Sequence, residues 1–185
     1  YVLFFGFIRG YKGLDLLLDA FADKRFAEQR IKLIVAGEFY GDAKPYMDQI
    51  ERLGIANRLV LCTDFIPDSE VNRYFSAADI VAQPYKTATQ SGVTQIAFHF
   101  EKPMLVTNVG GLAEKIHDGK IGYVVEPEAQ QIADALISYY DNAKESEFTE
   151  NVKVEKQNYA WSKMTGAIQT LATELEKPGN YDNTK

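Results

Sequence analysis

Six short runs of apolar residues, nearly unbroken by polar ones, constrain this chain more than any other feature. They fall at 2–8, 31–36, 58–62, 79–82, 103–107 and 122–125. A strand that is apolar on both sides has to be covered on both faces, as in a parallel sheet flanked by helices. The stretches between the runs carry the other half of that pattern. Leu14, Leu17, Leu18 and Phe21 stand at i, i+3, i+4, i+7, the stripe of an amphipathic helix. A polar turn through Gly41 and Pro45 leads to a helix ending near Gly54. Pro67 with Asp68 or Ser69 as N-cap predicts another start, with Val71, Tyr74 and Phe75 on one side. Further helices are expected at about 92–100, just after Gly110-Gly111, and at 128–140. Strand-then-helix units in series predict an α/β fold, a doubly wound, about six-stranded parallel sheet. Trp161, Met164, Ile168, Leu171 and Leu175, spaced by threes and fours, predict a long C-terminal helix packed along one seam. The residues after Lys177 read as a frayed tail.

At 185 residues the chain has the size of one domain able to bury a core. No apolar run approaches the roughly 20 residues that cross a bilayer. No signal peptide is evident, and Tyr1 opens directly into an apolar run, as expected of a domain cut from a longer polypeptide. The net charge of -6 argues against a nucleic-acid partner, while leaving room for a local pocket of cations that takes a phosphate. The single Cys62 excludes an internal disulfide framework and fits a reducing cytoplasm. Two histidines and one cysteine are too few for a structural zinc site. His99, between Phe98 and Phe100, reads as a partly buried structural residue, and His117 as a cation near a helix C-terminus.

In an open parallel sheet, ligands bind beyond the carboxyl ends of the strands, so the loops there hold the candidate chemistry. The first runs from Gly6 to Gly13, with Arg9 and Lys12 between glycines at the start of a helix. Two cations beside a helix N-terminus suit a diphosphate, though two solvated surface cations would have the same sequence. The glycine spacing matches neither a dinucleotide fingerprint nor a P-loop. The second loop, Pro84 to Gly92, crowds small and hydroxyl residues before a helix. It reads as a phosphate-binding start or as an ordinary capped one. The third holds Gly110-Gly111, a turn or a further helix start. Phe39, Tyr40 and Tyr85 follow strand ends and are candidates to line a cleft.

The order of these pieces resembles the C-terminal domain of GT-B-fold glycosyltransferases of the group 1 class. The resemblance is carried by Phe5-Gly6, Arg9, Lys12-Gly13-Leu14, Ile34 to Glu38, Arg58, Phe65-Ile66-Pro67, Tyr74 to Val81 with Pro84, and Glu101 to Glu114. It implies that residues 1–177 form a nucleotide-sugar-binding domain, with 178–185 a flexible tail and an N-terminal acceptor-binding domain missing. It implies a retaining glycosyltransferase that moves a sugar from a nucleotide-diphosphate sugar to a glycan or lipid-linked acceptor, in cell-surface polysaccharide synthesis. Arg9 and Lys12 would be the catalytic pair, stabilising charge on the leaving diphosphate. Gly6, Gly13, Asp64, Phe65, Ile66, Gln90, Ser91, Gly92 and Gln95 would bind the donor. No cofactor and no obligatory metal are expected. The expected partners are the nucleotide sugar and the missing domain, which would supply any docking to the inner face of the membrane. The isolated domain is expected to be cytoplasmic and inactive.

The family commonly places two glutamates in the second loop and its helix, and here those positions hold Ala88 and Ile96. Neither side chain accepts a hydrogen bond. A catalytically degenerate glycosyltransferase-like module, binding a nucleotide or a partner, is therefore the alternative. The paired cations favour the enzyme. A nucleotide-dependent epimerase or a flavodoxin-like switch would not account for the ordered loops.

Overall fold

A computed structural model describes residues 1–159 and 161–176. Its six strands are β1 (Val2–Phe5), β2 (Leu33–Ala36), β3 (Leu59–Cys62), β4 (Ile80–Gln83), β5 (Met104–Thr107) and β6 (Gly122–Val125). All neighbours pair in parallel, in the order β3-β2-β1-β4-β5-β6. The helices are α1 (Leu14–Phe21), α2 (Lys24–Glu28), α3 (Lys44–Leu53), α4 (Val71–Ala77), α5 (Gly92–His99), α6 (Ala129–Asp141), α7 (Glu145–Lys156) and α8 (Trp161–Glu176). This is the doubly wound α/β sheet the sequence predicts.

The apolar runs are continuous because alternate residues serve different cores. Val2 and Phe4 pack with Leu17, Leu18 and Phe21 of α1 and with Ile132 and Leu136 of α6. Leu3 faces the other way, into a cluster with Phe75 of α4 and Ala97 and Phe98 of α5. Winding reverses between β1 and β4, which are hydrogen-bonded neighbours. The loops leaving them diverge there, and a crevice opens at the carboxyl edge of the sheet.

Several local expectations need correction. The first strand ends at Phe5, because Gly6 takes φ +94°, and pairing resumes only as a bridge from Ile8 to Phe39. Asp68 and Ser69 do not cap a helix: Asp68–Glu70 is a 3-10 turn, and α4 begins after it without a side-chain cap. α2 and α7 have no counterpart in the sequence reading. α2 is five residues long, started by Asp23 accepting from the Arg25 N–H at 2.9 Å, and buries Phe26 alone. α7 buries only Phe148 and Val152 among charged neighbours, so its amphipathic signal is thin. The seam expected on α8 is not packed within the described residues: Ile168 and Leu171 are 57% and 60% exposed. The side chains of Trp161, Met164 and Leu175, and the tail at 178–185, lie outside the described residues. No helix of the described residues is long and apolar enough to cross a membrane.

Candidate functional site

The crevice is built from the loops that follow β1, β2, β3 and β4. Beyond β1, Gly6 N–H donates to the Ala36 carbonyl and Ile8 N–H to the Glu38 carbonyl, both at 2.8 Å. The chain after β1 is thus held against the chain after β2, then turns through a 3-10 segment, Gly10–Lys12. That segment is stitched to the end of β4, where Lys86 N–H donates to the Tyr11 carbonyl at 2.7 Å. Gly13 fits against the same place: a Cβ there would meet the Pro84 carbonyl oxygen at 1.9 Å. On the β4 side, the Thr107 hydroxyl donates to the Tyr85 carbonyl at 2.5 Å. Gln83 and Thr94 satisfy each other inside the core.

These loops enclose a cavity of about 450 Å³. Gly6, Lys12, Phe65, Ile66, Gln90, Ser91 and Gly92, all expected from the sequence, line it. Lys12 is the unusual member. Its side chain is 9% exposed, its Nζ lies 5.8 Å from the Tyr85 ring centroid, and it has no carboxylate partner among the described residues. Burial, and secondarily the nearby Arg9 charge, holds its pKa below the ordinary lysine range. A Cβ on Gly6 would stand 3.2 Å from Nζ, so this glycine leaves room for the ammonium to face the cavity. Tyr85, 3% exposed, forms the wall behind it, and burial raises its phenol to about 12. It therefore stays a neutral hydroxyl, exchanging a hydrogen bond with Ser91 Oγ at 3.1 Å.

Ser91 is the N-cap of α5, its Oγ accepting from the Val93 N–H at 3.2 Å. Its side chain thus serves the helix, and the α5 amino end is what reaches the cavity. Ser91→Ala should cost about 1 kcal/mol of stability from the lost cap, measured by chemical denaturation.

Four expected residues do not line this cavity. Arg9 is exposed, with its guanidinium 4.0 Å over the Tyr40 ring, and borders a neighbouring cavity instead. The 3-10 turn separates it from Lys12. Gly13 is buried beneath the loop as its hinge, and Asp64 is exposed before Phe65. Gln95 is exposed on α5, whereas Ile96, one residue on, faces the cavity. The liners not foreseen as site residues include Tyr11, Glu38 and Asp68. Glu38 directly follows the end of β2 and Gly37, so the strand-end rule that pointed to Phe65 points equally to it. His99, expected to be partly buried, is exposed, because the buried face of α5 is Val93, Thr94, Ala97 and Phe98. His117 lies 3.6 Å from Glu155. Among the described residues, no cluster of three His, Cys, Asp or Glu side chains is placed to hold a metal ion.

The fold is shared with solved glycosyltransferases. Anabaena HepE, solved in complex with UDP, superposes with a TM-score of 0.75 at 23% identity, covering 94% of this chain and 49% of that one. The C-terminal domain of the group 1 glycosyltransferase LpcC from Francisella tularensis gives 0.76 at 22% identity, covering 85% and 84%. In sequence, the D-inositol 3-phosphate glycosyltransferase of Corynebacterium aurimucosum is 29% identical over 182 residues, 95% of this chain and 41% of its own length. A family model for group 1 glycosyl transferases matches residues 1–142. The chain belongs to the group 1 glycosyltransferases and has the fold of their C-terminal domain. It spans less than half the length of the curated relatives it matches.

Proposed function

We propose that this domain binds the nucleotide-diphosphate sugar of a retaining glycosyltransferase, and that a separate N-terminal domain brings the acceptor. The observation that carries the reading is Lys12, a buried cation that faces a cavity and has no carboxylate partner among the described residues. An uncompensated buried charge is costly, and a ligand diphosphate would compensate it. Lys12 neutralises the β-phosphate as the glycosidic bond breaks, the α5 amino end receives the phosphate oxygens, and the loop at Phe65-Ile66 receives the base. Arg9 joins Lys12 by leaving the Tyr40 ring, which is 68% exposed and holds it loosely. With positive charge supplied by these side chains, transfer does not require a metal, and chelator should leave the rate unchanged. Glu38 and Asp68 are the carboxylates in the cavity that can accept the ribose hydroxyls, a role that Ile96 cannot fill. The acceptor is a glycan or lipid-linked sugar of the cell surface.

Ile96 on the cavity wall favours a second reading, a nucleotide-binding module that does not transfer sugar. Calorimetric titration with UDP, GDP and ADP tests the binding shared by both. Saturable binding of one of them is the expected result and names the base; no binding by any would remove the proposal. The isolated chain should show no sugar transfer to any acceptor, because half a cleft does not position the second substrate. Turnover by this chain alone would contradict that division of labour.

A further inference from the structure

Tyr85 belongs to the wall of the candidate site without being open to it. It is 3% exposed, so it offers a ligand almost no surface. Burial pushes its phenol up to about 12, which removes it as a base or nucleophile near neutral pH. What the residue does touch are the two groups suited to an anion. Lys12 Nζ stands over its ring, 5.8 Å from the centroid, and its hydroxyl lies 3.1 Å from Ser91 Oγ, the cap of α5. We propose that Tyr85 is the positioning residue of this cavity: its ring face holds the Lys12 ammonium, its hydroxyl holds the amino end of α5, and both thereby meet one diphosphate in a fixed geometry. The inference rests on the donor reading for the identity of that anion.

Three observations support it. First, Tyr85 is itself held fast. The Thr107 hydroxyl donates to its carbonyl at 2.5 Å, and the next N–H, that of Lys86, donates to the Tyr11 carbonyl at 2.7 Å. The Tyr11 and Tyr85 rings meet edge to face, 6.0 Å between centroids. A side chain fixed in this way, at the end of β4, is a rigid reference for a flexible lysine arriving from the loop after β1. Second, the buried Lys12 ammonium has no carboxylate partner among the described residues. A desolvated ammonium within about 6 Å of an aromatic face is attracted by the ring's quadrupole. The ring thus opposes the burial that lowers the Lys12 pKa. Third, Ser91 Oγ already accepts from the Val93 N–H at 3.2 Å, so the contact with Tyr85 is an additional tie and not the cap itself. It joins the first turn of α5 to the wall behind Lys12, although the two come from separate loops. The other titratable groups around Lys12 are Arg9 and Tyr11 on its own loop and the cavity carboxylates Glu38 and Asp68. A change at position 85 leaves all four in place.

The test uses the 185-residue chain with isotope-labelled lysine, the Lys12 Cε signal being assigned by its loss in Lys12→Met. Tyr85→Phe keeps the ring and removes the hydroxyl. Pentafluorophenylalanine incorporated at position 85 keeps the shape of that ring and reverses its quadrupole, so neither replacement empties the core. By NMR titration of the empty domain, the Lys12 midpoint should be the same in the unaltered chain and in Tyr85→Phe. It should be lower by about one pH unit in the fluorinated chain. Affinity for whichever of UDP, GDP and ADP binds best, measured by calorimetry, should fall about fivefold in Tyr85→Phe. In the fluorinated chain it should fall further as pH rises past the new midpoint. A ring that only fills space would leave the midpoint unmoved on fluorination, and that result would overturn the proposal. Nucleotide affinity indifferent to both replacements would overturn it too, with the donor reading left standing. If the midpoint moves while no nucleotide binds the unaltered chain, the hold on Lys12 stands and the donor reading falls.

Discussion

Lys12→Met should remove most of the affinity for a nucleoside diphosphate while leaving the domain as stable as before, or more so. A charge-assisted contact to phosphate is worth about 1.5–3 kcal/mol, roughly a 10- to 150-fold change in Kd. Met keeps the length and packing of the lysine stem and removes a buried charge that has no carboxylate partner among the described residues. Thermal unfolding measured beside calorimetry separates the two effects. A loss of both affinity and stability would mean that Lys12 is structural. pH acts with the same logic. Burial, then Arg9, lowers the Lys12 pKa in the folded state, so between that value and the ordinary one the unfolded chain binds more protons. The Lys12 contribution to stability of the empty domain therefore increases as pH rises through this interval. Nucleotide affinity moves oppositely over the same interval, because the ligand selects the protonated ammonium. Lys12→Met should abolish both trends.

Gly13→Ala should be among the most damaging single-methyl changes in the chain. Gly13 has φ +70°, and a Cβ would stand 1.9 Å from the Pro84 carbonyl oxygen, a backbone atom that cannot rotate away. The left-handed conformation costs a side chain about 1–2 kcal/mol, and forced overpacking typically adds about 1–3. Together these approach the lower end of the total stability of a domain, about 5–15 kcal/mol. The loop from β1 and the end of β4 would have to separate, taking Lys12 away from Tyr85. Denaturant unfolding should therefore show a loss of several kcal/mol, with nucleotide affinity falling in parallel. Gly10→Ala is the control in the same loop: a Cβ there meets nothing within 4 Å, and it should be nearly silent.

The sheet was legible because a strand covered on both faces has to be apolar throughout, and few other segments are. α2 and α7 escaped for the converse reason, since one or two buried side chains leave no periodic stripe. α8 misled in a different way: its stripe is present, but Ile168 and Leu171 are not covered by any described residue. At the candidate site, the strand-end rule pointed to loops that line the cavity and could not orient the side chains within them. Arg9 and Lys12 are three residues apart and face different cavities across a 3-10 turn. Gln95 and Ile96 are neighbours, and the helix turns the apolar one inward. Glu38 and Asp68 each satisfied a rule in hand, as strand-end residue and as presumed cap, but only the folded loops place both at one cavity.

The most direct test of the donor site is an amide NMR map of the domain titrated with UDP, GDP and ADP. One nucleotide should shift the amides of Gly6, Lys12, Phe65, Ile66 and Gly92 together, with those of α6 and α7 silent. Saturable binding that shifts residues away from this cavity, or the absence of shifts with all three nucleotides, would contradict the account.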